Sequence, residues 1–389
     1  MNVLVINAGS SSLKYQLLDV DTGEVFAKGN CERIGIDGSF IGHQERGGEK
    51  ERLVVELPDH KTAVKHVFEI IDGLGLPVDG IGHRVVQGGW YFPESAVVDD
   101  EVLAKVREVA PLAPLHNYAE ADVVEICREL YPSLGNVIVP DTAFHYNMPE
   151  RAWRYALPRD VVDRLHVRKY GAHGTSHRFI WRAVQEFTDG ACHKLVSCHL
   201  GSGASLCAVE DGRSVETTMG LTPLDGLIMG TRCGTLDPAT VFYLQREGGY
   251  TVDEVDTMMN KQSGLLALSD ISSDSRDIEE AAAKGDEKAE VALDMFAYRA
   301  AQLILEMAEA MEGFDTIAFS AGIGENSDDA RARICAKLGW MGVRLDDAKN
   351  AVRSDEVREI SADDSAIRVL VVPTNEELMI ALDVQEKLA

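Results

Sequence analysis

Short apolar runs broken by glycine and hydroxyl residues open the chain. Residues 3–6 are apolar and mostly β-branched, Gly9, Ser10, Ser11 and Ser12 interrupt them, and residues 13–18 resume the pattern. Asp21, Thr22 and Gly23 then turn the chain into a third run near 24–28. The pattern predicts three strands joined by tight turns. Helical periodicity follows over 60–71 and 115–130, with short strands near 80–84 and 136–139.

A similar unit begins further along. Residues 195–199 read as a buried strand, Gly201, Ser202 and Gly203 break it, 204–209 resume it, and Asp211-Gly212 turns again. The repeated order of strand, Gly/Ser hairpin, strand and turn predicts an internal duplication in a mixed α/β fold. A long amphipathic helix is expected over 286–311, and a strand over 316–320 leads into Gly322, Ile323, Gly324, Glu325 and Asn326. A last strand is expected over 367–372 and a last helix over 374–388. With 389 residues, two domains are expected. We place them at 1–148, with the 377–389 helix returning to that domain, and at 149–376.

Charge narrows the function. Thirty-eight Lys and Arg against 64 Asp and Glu give a net charge of −26, which disfavours nucleic acid and anionic membranes as partners. No apolar run approaches the ~20 residues of a membrane span. The opening residues carry no basic leader, and the seven cysteines are scattered without metal-ligand spacing. A cytoplasmic protein with reduced thiols is expected.

Five glycine- or hydroxyl-rich turns, at 7–12, 171–176, 201–203, 226–234 and 322–326, are each expected just after a strand. Glycine lets backbone N–H groups approach a phosphate. Any one of these is more simply a tight turn, but five together, flanked by Lys14, Arg84 and Arg232, favour a nucleotide site. None fits the P-loop or the dinucleotide fingerprint. His173 lies between small residues and is expected to face a ligand, with His177 structural and His145 open between the two. Asp141 and Glu376 stand at strand ends, where carboxylates hold Mg²⁺. For Glu376, a helix-start charge is an equal reading.

Taken in order, VLVINAGSSSLKYQLLD, GHRVVQGG, PLAPLHN, PDTAFH, YGAHGTSH, HLGSGAS, MGLTPLDGLIMGTR, SAGIGENS and VVPTNEEL resemble the acetate kinase family. The resemblance covers nearly the whole chain. It implies duplicated RNase H-like domains of the sugar kinase, heat-shock ATPase and actin superfamily with an interdomain cleft, in a cytoplasmic homodimer. The second domain would bind the nucleotide. It further implies reversible phosphoryl transfer between ATP and acetate, giving acetyl phosphate and ADP, with Mg²⁺ (or Mn²⁺) as cofactor. Asn7 and Glu376 would position the metal. Lys14, His199, Leu200, Gly201, Ser202, Gly203, Asp274, Ser275, Arg276 and residues 322–326 would hold the nucleotide. Arg84 would bind the acyl carboxylate, beside an apolar pocket of Val86, Leu115, Ala172 and Pro223. Arg232 and His173 would stabilise the transition state, and Asp141 is the family's acid/base residue.

Chemistry refines that last role. A carboxylate substrate with pKa near ~4 is already ionised and needs no base, so Asp141 suits orienting an arginine or a hydrated metal. Departures from the family pattern are Ala172 for a common Phe, Ser202 for Asn, Ser275 for Phe, and Cys233 and Thr235 for Ser and Asp. Ala172 bears on acyl size, making a propionate or butyrate kinase the nearest alternative. A sugar kinase would make less use of two substrate-side arginines. A non-enzymatic actin-like or heat-shock-type ATPase module would need no Arg84.

Overall fold

The computed structural model describes residues 1–114 and 116–389, so Leu115 of the expected acyl pocket lies outside the described residues. The chain divides into two compact units, Met1–Tyr146 with Asn375–Ala389, and Asn147–Thr374.

The first unit is built on an eight-stranded sheet. Its strands are β1 (Asn2–Ala8), β2 (Ser12–Asp19), β3 (Val25–Glu32), β4 (Phe40–Glu45), β5 (Glu51–Val54), β6 (Gly80–Val85), β7 (Ala96–Val97) and β8 (Gly135–Pro140), in the order β5-β4-β3-β2-β1-β6-β8-β7. β1, β2 and β3 form an antiparallel meander, whereas β6 runs parallel to β1 and β8 parallel to β6. The apolar run of β1 is buried on both faces, as a central strand covered on both sides requires. One face is covered by the His60–Gly73 helix. Asp59 caps it by accepting the Thr62 N–H at 2.7 Å, and Val64, Val67, Phe68 and Ile71 face the core.

The C-terminal helix, Glu376–Leu388, covers the other face. It fits because β6 carries Gly80 and Gly82. A Cβ at Gly82 would lie 2.5 Å from Ile380 Cγ2, and one at Gly80 2.7 Å from Leu388 Cδ1. Fully buried Ile380 and Val384 each contribute about 1.5–3 kcal/mol. The Asn375 cap on the Leu378 N–H adds ~1 kcal/mol. Packing therefore dominates in fixing where this helix begins.

The second unit has a six-stranded sheet of β9 (Lys194–Leu200), β10 (Ala204–Glu210), β11 (Arg213–Thr217), β12 (Thr316–Ser320), β13 (Arg358–Glu359) and β14 (Arg368–Val371), ordered β11-β10-β9-β12-β14-β13. β9, β10 and β11 form an antiparallel meander, and β12 and β14 continue it in parallel. The core order β3-β2-β1-β6-β8 thus recurs as β11-β10-β9-β12-β14, which is the duplicated RNase H-like α/β unit. The Glu287–Ala310 helix packs Phe296, Ala300, Ile304 and Met307 into the core of this unit.

Two of the five turns depart from expectation. No strand directly precedes Gly171 or Gly226. The 171–176 segment instead opens the Gly174–Phe187 helix, with Gly171 and His173 both in the left-handed region, at φ 76° and 56°.

Candidate functional site

In the first unit, the parallel arrangement of β1, β6 and β8 brings their carboxyl ends together, the usual place for ligands in such sheets. Asn7 and Arg84 lie near the ends of β1 and β6, and Asp141 follows β8. Arg84 donates from Nη2 and Nε to Asp141 Oδ2 at 2.6 and 3.0 Å, and from Nη1 to Asn7 Oδ1 at 3.5 Å. Glu376, first residue of the C-terminal helix, stands 3.9 Å from Arg84 Nε. Lys14 is exposed on β2, directly across the strand pair from Asn7. Val86 is buried.

Two acids thus lie against one guanidinium, and Glu120 acts on it through its charge. Burial pulls Arg84 down, but Asp141, Glu376 and Glu120 more than offset it, so it keeps its proton above the usual arginine range. Burial, with help from Asp141 and Glu377, pushes Glu376 up to about 7 against the pull of Arg84 and Lys14. Burial likewise pushes Glu120 up to about 8. A hard divalent cation takes oxygen donors, and Asn7 and Glu376 each offer one, an amide and a carboxylate oxygen, on either side of Arg84.

In the second unit, the β9–β10 hairpin places Gly203 against two candidate groups. A Cβ there would meet Arg232 Nη2 at 3.3 Å and the His173 ring at 3.6 Å. Arg232 donates to the Pro223 carbonyl at 2.7 Å and has no carboxylate within ion-pair distance among the described residues. Burial lowers its pKa. His173 Nδ1 shares a hydrogen bond with Ser205 at 2.9 Å, and its ring stacks on His199, centroids 4.2 Å apart and 19° from parallel. His199 is held by Ser176 at 2.8 Å. His177 is fully buried between Ser197 and Ser205, a structural position. Ala172 is buried in the core of this unit.

A cavity of about 570 Å³ joins three of the expected nucleotide segments. Gly201 and Ser202 line it, as do Asp274, Ser275 and Arg276, and Gly322, Ile323 and Asn326. Its size suits a small-molecule ligand. Gly230 approaches too closely for a side chain: a Cβ would lie 3.0 Å from the Ser273 carbonyl. His199, Leu200, Gly203, Gly324 and Glu325 do not line the cavity. Leu200 and Gly324 are buried, and Glu325 accepts from the Ala321 and Thr374 N–H groups at 2.8 and 3.1 Å, bracing the loop.

Sequence reasoning missed Glu279, Ser327 and Arg353, which also line the cavity, and Arg331 behind it. Arg331 is almost fully buried and donates to the Gly324 and Glu325 carbonyls at 2.9 and 3.0 Å. Nothing in the local sequence separates it from a solvated helix arginine. It also missed Glu120, whose period on the Asn117–Leu130 helix marked the buried face but not its partner.

Residues 2–382 match the model of the acetokinase family. The chain is 48% identical over 392 residues to acetate kinase 2 of Clostridium perfringens (strain 13 / Type A), covering 98% of each. It resembles the crystal structure of Porphyromonas gingivalis acetate kinase with a TM-score of 0.93 at 39% identity, over 100% of both chains. It resembles a propionate kinase from Francisella tularensis subsp. tularensis SCHU S4 with a TM-score of 0.94 at 36% identity, over 99% of both.

Proposed function

We propose, since the chain belongs to the acetokinase family, that it transfers a phosphoryl group reversibly between ATP and acetate, giving acetyl phosphate and ADP. The observation that carries this reading is the pair of partly buried arginines. Arg84 is oriented by Asp141 at the strand ends of the first unit, and Arg232, beside the β9–β10 hairpin of the second, has no carboxylate partner among the described residues.

The reaction joins anions, so its main need is charge neutralisation and alignment. Arg84 receives the acetate carboxylate, which is already ionised and attacks phosphorus without a base. Asp141, fully buried and fixed on Arg84, orients that guanidinium. Arg232 and His173 stabilise charge on the phosphoryl oxygens. The 570 Å³ cavity holds the nucleotide, with Asp274, Ser275 and Arg276 on one side and the 322–326 loop on the other. Lys14 adds positive charge toward the phosphates. Asn7 and Glu376 would hold Mg²⁺, which when bound supplies further neutralisation of phosphate oxygens. Transfer is direct and in line, with no phosphoenzyme.

A second reading, toward propionate or butyrate, is favoured by Ala172, a methyl group where the resembled family commonly carries Phe. We also read the protein as a cytoplasmic homodimer. The Ala239–Arg246 helix has no buried residue, and Phe242 and Tyr243 are 53% and 67% exposed, an apolar face suited to a second copy. Among the described residues, no helix is long and apolar enough to cross a membrane. The test is a hydroxamate assay with ATP, Mg²⁺ and C2 to C4 acids. Acetate should give the highest kcat/KM, and chelating Mg²⁺ should abolish the rate. A preference for a sugar, or no acid product at all, would refute the reading.

A further inference from the structure

We propose that Glu120 is a positioning residue for the acyl-carboxylate site, holding residues 84–86 in place through the Val86 amide. The inference rests on the reading that Arg84 and Val86 receive the acyl substrate. Glu120 lies one turn into the Asn117–Leu130 helix and is 1% exposed. Its Oε2 accepts from the Val86 N–H at 3.0 Å, while its Oε1 has no hydrogen-bond partner among the described residues. Asn117, three residues earlier, does the same for the next residue. Its Oδ1 accepts from the Gln87 N–H at 3.1 Å, and its Nδ2 donates to the Gln87 carbonyl at 2.7 Å. Thr142 accepts from the Gly88 N–H at 3.0 Å, and the Gln87 side chain from the Gly89 N–H at 2.9 Å. The amides of residues 86–89 therefore end on buried side chains rather than on a neighbouring strand. A buried N–H must find an acceptor, and here one helix supplies the acceptors for the first two residues after β6, Val86 and Gln87.

The residue type sharpens the argument. An amide at 120 would accept from Val86 equally well without burying an ionisable group. Burial pushes the Glu120 carboxyl up to about 8 despite the pull of Arg84, so it is a neutral acid near pH 7. Asp141 and Glu376 already lie against Arg84. A third carboxylate would cancel more of the charge that an anionic substrate must find. A neutral Glu120 holds the backbone and leaves that charge available.

The test is steady-state kinetics of Glu120→Gln, Glu120→Asp and Glu120→Ala with ATP and with acetate or propionate. Glu120→Gln keeps an acceptor for Val86 and stays neutral, so its KM for acetate should stay within about two-fold of wild type. Glu120→Ala leaves the amide unpartnered, and its KM for acetate should rise about ten-fold or more while the KM for ATP moves less than about two-fold. The propionate-to-acetate ratio of kcat/KM should shift with it, because Val86 moves. If Glu120→Ala fails to fold, Glu120→Asp, one methylene short, should show the same split to a lesser degree. Equal rises in both KM values, or a Gln variant as impaired as the Ala or Asp variant, would make Glu120 merely structural and overturn the inference. An active wild type with unmoved variants overturns this inference alone. A wild type inactive on every acid overturns the acetate reading and this one with it.

Discussion

Arg84 directs both Nε and Nη2 at a single oxygen of Asp141, at 3.0 and 2.6 Å, so one edge of its guanidinium is committed before any substrate arrives. That geometry fits the orienting role proposed for Asp141, since acetate is already ionised and has no proton to give up. Asp141→Asn should therefore lower kcat/KM for acetate by about ten-fold or more, by weakening a charge-assisted pair. The pH profile from 6 to 9 should keep its shape. A new pH limb, or rescue of the Asn variant at high pH, would show that Asp141 moves a proton.

Arg232 has only the Pro223 carbonyl as its hydrogen-bond partner among the described residues, and it sits against Gly203. A partly buried cation held by a neutral acceptor is poised for an anion. Arg232→Ala should lower kcat by roughly two or more orders of magnitude, as for other lost electrostatic stabilisers. Arg232→Lys should recover only a small part, since an ammonium cannot reproduce the fork. Single-turnover rates measure this directly, and near wild-type chemistry in the Ala variant would remove Arg232 from the transition state.

Glu120 gives a stability prediction with a definite sign. Its folded-state pKa is raised from 4.5 to about 8 by burial. Below 4.5 both states hold the proton, and the group adds no pH dependence. Between the two values the unfolded chain gains by ionising, so stability falls as pH rises, by up to ~1.4 kcal/mol per pH unit. Above about 8 the loss is complete. Glu120→Gln removes this slope. In thermal melts from pH 5 to 8, wild-type Tm should fall relative to the Gln variant as pH rises. A constant difference would contradict the buried neutral acid.

Much of the fold was legible because its central strands are buried on both faces and therefore read as short apolar runs. β1, β9 and β12 stand out for that reason, and the two Gly/Ser hairpins expose the duplication. β5 was not legible, since all four of its residues are exposed and carry no alternation. The turn at 171–176 misled because its glycine serves a left-handed entry into a helix, a conformation that local sequence shares with strand-ending turns. Candidate loops were legible by residue type, but Glu279 and Arg331 were not. Their burial is decided by partners distant in sequence, Ser327 for Glu279 and Asn350 for Arg331.

Ala172 bears on acyl chain length. It is buried at 3% exposure, so a larger side chain there would have to displace its neighbours. A methylene gained in a pocket is worth ~0.8 kcal/mol, several-fold in selectivity. Ala172→Phe should therefore reduce kcat/KM for propionate more than for acetate. An unchanged propionate-to-acetate ratio would show that Ala172 does not limit acyl size.

The most direct test of the central claim follows phosphorus itself. Purified protein incubated with ATP, Mg²⁺ and acetate should show, by ³¹P NMR, acetyl phosphate appearing in step with ADP, and the reverse reaction should regenerate ATP. Arg84→Ala should lose both signals together. ADP accumulating with inorganic phosphate and no acetyl phosphate would mean an ATPase without an acyl acceptor, and would contradict the account.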